Sequence, residues 1–228
     1  MILLNFTIND IIKITLKSNE KGVIYMKNKL IKCLIIIFII IIIIFLANLI
    51  RKIYLIEKYD DENDKYQAST NFYQRYTEED RITEIWRKGD VALLKMKGKD
   101  VENILYWSNE QSWIISNSLN GVTKTAVKYD EMAIQIPTIS NSYFNTEGLM
   151  DSIKLAFKSK ITTENIENEE CYKFTLDDTE EYVNVSNFKL LKIKDGNMVR
   201  DKIYYELDTV EDSEIEFPNL EGYKIIDK

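Results

Sequence analysis

The side chains best placed to do chemistry are carboxylates. Asp177, Asp178, Glu180 and Glu181 fall within five positions, and paired acids can divide general-acid and nucleophile or base roles between them. A second cluster, Asp60, Asp61, Glu62 and Asp64, has the density of a calcium loop. Neither pattern carries far. The four later carboxylates stand at the junction of two strand-like runs, where charge marks a solvated turn. Counting twelve from Asp60 reaches Asn71 rather than a bidentate glutamate, and the glycine that such a loop requires is missing. The acidic run therefore reads as the solvated face of a helix.

The rest of the reactive inventory is thin. There is no histidine in the 228 residues, which removes Ser-His-Asp and Cys-His nucleophile pairs, imidazole ligands and the usual near-neutral base. Cys171 has no imidazole partner and no second cysteine beyond Lys52. It reads as a small buried strand residue, and packing rather than cross-links is expected to hold its domain together. No metal, no cofactor and no enzymatic activity is expected.

The strongest signal is physical rather than chemical. Nine of the thirteen residues from Leu34 to Leu46 are isoleucine and none is polar. From Cys33 to Ile50 only Asn48 interrupts the apolar character. A bilayer core needs about 20 such residues as a helix, because lipid offers the backbone no hydrogen-bond partners. A cleavable signal has a shorter apolar region and small residues at its cut; here Phe45 stands two residues before Ala47. Residues 30–50 thus read as an uncleaved, single-pass membrane anchor.

Its orientation follows from the flanks. Lys27, Lys29 and Lys32 precede the run, while Arg51 and Lys52 give way to the acidic residues from Asp60. Basic residues stay on the cytoplasmic side, which puts the amino terminus inside and the bulk of the chain outside the cell membrane. Residues 1–29 read as a cytoplasmic tail. Met26 opens a basic segment leading straight into the apolar run, so residues 1–25 also fit an upstream start chosen in error.

Beyond Lys52 lie 22 basic and 35 acidic residues, a net of −13. So acidic a domain is repelled by nucleic acid, and nucleic-acid binding is set aside. Residues 51–68 are expected to leave the membrane as a charged helical stalk, and 69–228 to form one β domain. Runs rich in β-branched and aromatic residues recur between turn signals at 71–76, 82–87, 91–97, 101–107, 112–117 and 122–129. Asn120-Gly121 suits a tight hairpin. A looser stretch over 132–145 leads to a helix at 146–159, with Thr146 as its cap and Leu149, Ile153 and Phe157 as its apolar stripe. Strands resume at 171–176, 181–185, 189–194 and 202–210. Tyr172, Phe174 and Leu176, and likewise Ile203, Tyr205 and Leu207, alternate with polar residues, the pattern of a sheet covered on one side.

The expected fold is mainly β: a curved antiparallel half-barrel of about ten strands with one covering helix. One short helix cannot cover the inner face of such a sheet. The domain's own aromatics or an apolar ligand or partner must fill it. Trp86, Tyr106 and Trp113, with Trp107, are the candidate residues lining that cavity.

The last third carries a resemblance. Cys171-Tyr172, Phe174, Tyr182-Val183, Leu190-Leu191-Lys192, Tyr205, Pro218 and Tyr223 follow the strand, hairpin and terminal pattern of the bacterial lipoprotein-carrier (Lol-type) superfamily. That resemblance implies a half-open barrel lidded by helices. It is to an anchored relative from a one-membrane, spore-forming type of bacterium rather than to a diffusing carrier. The expected function is a membrane-anchored, non-enzymatic module holding a lipid or acyl ligand in its curved sheet. The alternative is an accessory protein that docks a cell-wall or germination enzyme in the envelope.

Overall fold

The computed structural model describes residues 20–109, 111–118, 123–129 and 142–227, with side chains from residue 29 onward. The Asn120-Gly121 turn, most of the 132–145 stretch and most of the 1–25 segment lie outside the described residues. The chain divides into two compact units, residues 1–51 and 52–228.

The described part of the first unit is helical, and belongs to α1 (Glu20–Ala68). Every side chain from Leu34 to Leu46 is exposed, between 40 and 64% of its surface. Isoleucine favours strands in water, but a helix satisfies its own backbone and is the form a bilayer demands. Among the described residues α1 is the one helix long and apolar enough to cross a membrane.

The second unit begins at Lys52 and takes the carboxyl end of α1 into its core. Leu55, Ile56, Tyr59 and Tyr66 are all at most 7% exposed, as are Asp60 and Asn63 within 8%. This corrects two expectations. Residues 52–68 are not a stalk standing apart from the β domain, and only part of their acidic cluster faces solvent. The spacing 55/56, 59/60, 63, 66 is one helical face, and that face lies against the sheet.

The sheet is mainly β in the sense expected: curved, unclosed and single, but with twelve strands. Two antiparallel meanders build it. The first contains β1 (Asn71–Glu78), β2 (Arg81–Lys88), β3 (Val91–Lys97), β4 (Val101–Trp107), β5 (Ser112–Ser118) and β6 (Lys124–Tyr129). The second contains β7 (Lys160–Ile166), β8 (Glu169–Leu176), β9 (Thr179–Asn184), β10 (Leu190–Asp195) and β11 (Met198–Leu207). They join where β1 pairs with β11, and β12 (Lys224–Asp227) adds in parallel to β6, giving the order 12-6-5-4-3-2-1-11-10-9-8-7. That parallel edge makes the sheet mixed.

Two strands, β7 and β12, were not expected from the sequence. β7 is a polar edge strand, with only Ile161 buried, and its hairpin to β8 turns through Glu167 and Asn168, both at positive φ. A two-residue turn of this kind is usually signalled by Asn-Gly or Asp-Gly.

Helix α2 (Leu149–Lys158) also departs from expectation. Gly148 is its N-cap, whereas the Thr146 hydroxyl and amide both donate to Asp60 Oδ2. It buries Ser152 and Ala156, while Leu149 and Phe157 are each 59% exposed. Small residues let the helix approach closely, which leaves Leu149 and Phe157 of the expected stripe exposed and Ile153 half-buried.

Candidate functional site

Alternation along the strands assigns every side chain to one face. Tyr66 of α1 stacks on Tyr205 at 5.3 Å between centroids, and Tyr59 meets Phe174 at 5.2 Å. The face carrying Tyr205 and Phe174 is therefore the inner one, covered by α1. Cross-strand register carries this face through Gln74, Ile85, Leu94, Leu105, Ile114 and Val127. A neighbouring row on the same face runs through Phe72, Arg87, Ala92 and Trp107.

Over β1 and β8–β11 this face is sealed. Further along, Leu94, Leu105, Ile114 and Val127 are only half-buried. On this face two buried polar side chains have no hydrogen-bond partner among the described residues. Gln74 is 1% exposed, and among the described residues neither its Oε1 nor its Nε2 has a hydrogen-bond partner; Trp107, also 1% exposed, has none there for its Nε1. Each such orphan costs about 1–3 kcal/mol. The two side chains stand on β1 and β4, three strands apart, on the same face as the half-buried Leu94 and Leu105. Neither an amide nor an indole N–H is a nucleophile or a base at neutral pH.

The three aromatics expected to line the cavity are brought together, but on the opposite face. Tyr73, Trp86, Leu93, Tyr106 and Trp113 form one continuous cross-strand row, offset by one residue from the Gln74 row. A one-residue offset inverts the face, and that is why Trp86, Tyr106 and Trp113 do not line the inner surface. The segment before β12 covers one end of their row. Phe217 stands edge-on to Tyr106 at 5.1 Å and to Trp113 at 5.2 Å, and Leu220 and Tyr223 pack beside Trp113, Ile115 and Ala126. The other end is half-open: Trp86 packs on Tyr73 and has Lys95 Nζ 4.9 Å over its ring. Of the four aromatics considered, Trp107 alone faces inward. The alternation of Leu94, Leu105 and Ile114 with Gln74 was the signal that pairing register turns into a face.

The candidate carboxylates separate as well. Glu180 and Glu181 are in β9 rather than in a turn, and project to opposite faces. Glu180 pairs with Lys173 at 2.8 Å, and that ammonium holds its carboxyl below the usual range. Glu181 is 0% exposed. Its Oε2 accepts the Tyr59 and Ser142 hydroxyls at 2.7 Å each, and its Oε1 accepts the Tyr143 amide at 2.6 Å. Burial raises its pKa against the lowering effect of those three donors, and raises that of Tyr59 well above the ordinary phenol. With its oxygens engaged and no solvent access, Glu181 ties α1 to the sheet. Further ties are Asn63 to Asn145 at 2.5 Å and Lys52 Nζ to the Ala156 and Ser159 carbonyls at 3.1 and 2.5 Å.

A second concavity of about 550 Å³ lies between α1 and the β9–β10 connection, lined by Lys58, Asp61, Glu62, Lys65, Ser186, Asn187 and Phe188. Its charges pair among themselves, Lys65 with Glu62 at 2.6 Å and Lys58 with Asp61 at 3.9 Å, and give it no single ligand sign. Among the described residues no group of three or more Cys, Asp or Glu is placed to hold a metal ion. Compared with known proteins, the chain matches no family model and no curated protein.

Proposed function

We propose that the chain is a membrane-anchored, non-enzymatic binding module whose sheet stands outside the cell, with the amino terminus inside. Its ligand is lipid-like: an apolar body on the half-buried floor of β3–β6 and a polar head at Gln74. The observation that carries this reading is the orphaned Gln74 amide, 1% exposed beside that floor. A ligand carbonyl or carboxyl would accept from Nε2, and a hydroxyl or bridging water would donate to Oε1. The resemblance to the lipoprotein-carrier superfamily supports the same reading.

The test uses the full chain in phosphatidylcholine nanodiscs with a diazirine-bearing fatty acid. Photoadducts are expected in residues 101–118, and are expected to fall when Gln74→Leu removes the polar contact. Adducts confined to residues 29–50 would show that the probe sees only the membrane span and would overturn the ligand assignment.

A second reading, docking of an envelope protein, is favoured by the outer row. Tyr73 and Trp86 are half-buried and Tyr204 is 48% exposed beside Tyr73, the rigid aromatic composition of a contact patch. Retention of a partner that Trp86→Ala releases, with no lipid adducts on the sheet, would select it.

A further inference from the structure

Helix α2 leaves most of its apolar side uncovered by its own unit, with Ile153 half-buried at its middle. Leu149 and Met150 are 59 and 66% exposed, and Phe157 59%. On a helical projection Leu149, Met150, Ile153 and Phe157 share an arc of about 100°, with Lys154 and Lys158 beside it. The opposite margin carries Ser152 and Ala156, the residues that pack inward. This is the pattern of a helix lying at a membrane surface, with an apolar side for the acyl boundary and basic residues for the headgroups.

Its position identifies the occupant. Lys52 follows Ile50, the last residue of the apolar run, by two positions. Its Nζ donates to the carbonyls of Ala156 and Ser159, which close the carboxyl end of α2. That end is therefore held by a residue two positions beyond the apolar run in the sequence. Tyr54, 56% exposed, is an aromatic four positions beyond Ile50, the kind of residue that membrane boundaries favour. Charge agrees: Lys52, Lys154, Lys158 and Lys160 gather here, Lys154 already 2.7 Å from Asp151, on a domain otherwise strongly acidic.

We infer that α2 beds in the headgroup layer of the bilayer that α1 crosses, with Leu149 and Met150 among the upper acyl chains. The inference rests on the anchor reading proposed above. It gives the module a second, lateral attachment, so that its sheet is held at a fixed height and tilt over the lipid.

The experiment reads nitroxide labels, one position at a time, on the full chain in nanodiscs of phosphatidylcholine and phosphatidylglycerol, in a Cys33→Ser background. Labels go on Ile42→Cys in the apolar run, Met150→Cys on α2 and Ser186→Cys as an exposed control. Collision with oxygen, which partitions into lipid, is compared with collision with a water-soluble nickel chelate. Position 150 is expected to show an oxygen-to-nickel ratio several-fold above position 186 and to approach position 42. A ratio at 150 equal to that at 186, with 42 still lipid-like, overturns the inference and leaves the anchor standing. Shielding of 150 from both reagents overturns it in favour of a protein occupant. A water-like ratio at 42 overturns the anchor and the inference together.

Discussion

The two meanders solve one problem from opposite sides. In β7–β11, with β1, the sheet is closed from within: α1 lays Leu55, Ile56, Tyr59 and Tyr66 over Phe174, Val183, Ile193 and Tyr205, all buried. In β4–β6 the fully packed cluster lies on the other face, where Phe217, Leu220 and Tyr223 cover Tyr106, Trp113 and Ile115. The chain thus spends its amino-terminal helix on one face of one half and its carboxyl-terminal segment on the opposite face of the other. The faces left half-covered are the floor around Leu105 inside and the Trp86 end of the aromatic row outside.

The comparison breaks most directly at Tyr59. Replacing it with Ala removes a fully buried ring from Phe174 and a donor from Glu181. The expected cost is about 3–5 kcal/mol, read as a lower urea midpoint, and a fragment beginning at residue 69 should not fold. A Tyr59→Ala variant with an unchanged midpoint would mean that α1 is not what closes this half.

Phe217→Ala attacks the other half. The ring is 40% exposed, so the loss should be smaller, about 1–2 kcal/mol. Tryptophan emission should shift to the red as Trp113 is uncovered, while the packing of Tyr59 stays intact. Loss of both halves together would show that they fold as one.

Glu181 sharpens the contrast through pH. Its folded pKa is raised, so its favourable contribution is complete below the ordinary glutamate range near 4.3 and fades as pH climbs through the raised value. The stability of the wild-type chain relative to Glu181→Gln should therefore fall between pH 4 and 8. A difference that is flat with pH, or that rises, contradicts the burial assignment. The smallest effect belongs to the half-open outer row. Lys95→Met removes the cation over Trp86 and should cost only about 0.5 kcal/mol; a loss of 2 kcal/mol or more would mean that this end is closed too.

Much of this architecture could be read from residue patterns, because strand alternation and turn residues are local. Ten of the strands follow from that, and so does the Ile203-Tyr205-Leu207 face, whose Ile203 and Tyr205 are each 3% exposed. What escaped was set by partners distant in sequence. Asp60 and Asn63 look solvated until Thr146 and Asn145 are brought to them. The α2 stripe was visible as a stripe, but periodicity does not say which side a helix turns to its neighbours, and Ser152 and Ala156 took that role. Trp86, Tyr106 and Trp113 were grouped correctly as neighbours and placed on the wrong face, because composition cannot fix which parity of a strand points inward. Gln74 gave no sequence signal as a site residue: its interest lies wholly in being buried without a partner among the described residues.

The helix that closes the inner face is made first and completed last. Tyr59 waits 122 residues for Glu181, and β1 waits about as long for β11, the strand that joins the two meanders. During synthesis the Leu55–Tyr66 face emerges with nothing to cover it, while β1–β6 can form hairpins as they appear. Assembly of the domain should therefore be slow, late and gated by the arrival of β9–β11, and a ribosome stalled before residue 180 should leave a chain that chaperones or proteases recognise by that exposed helical face.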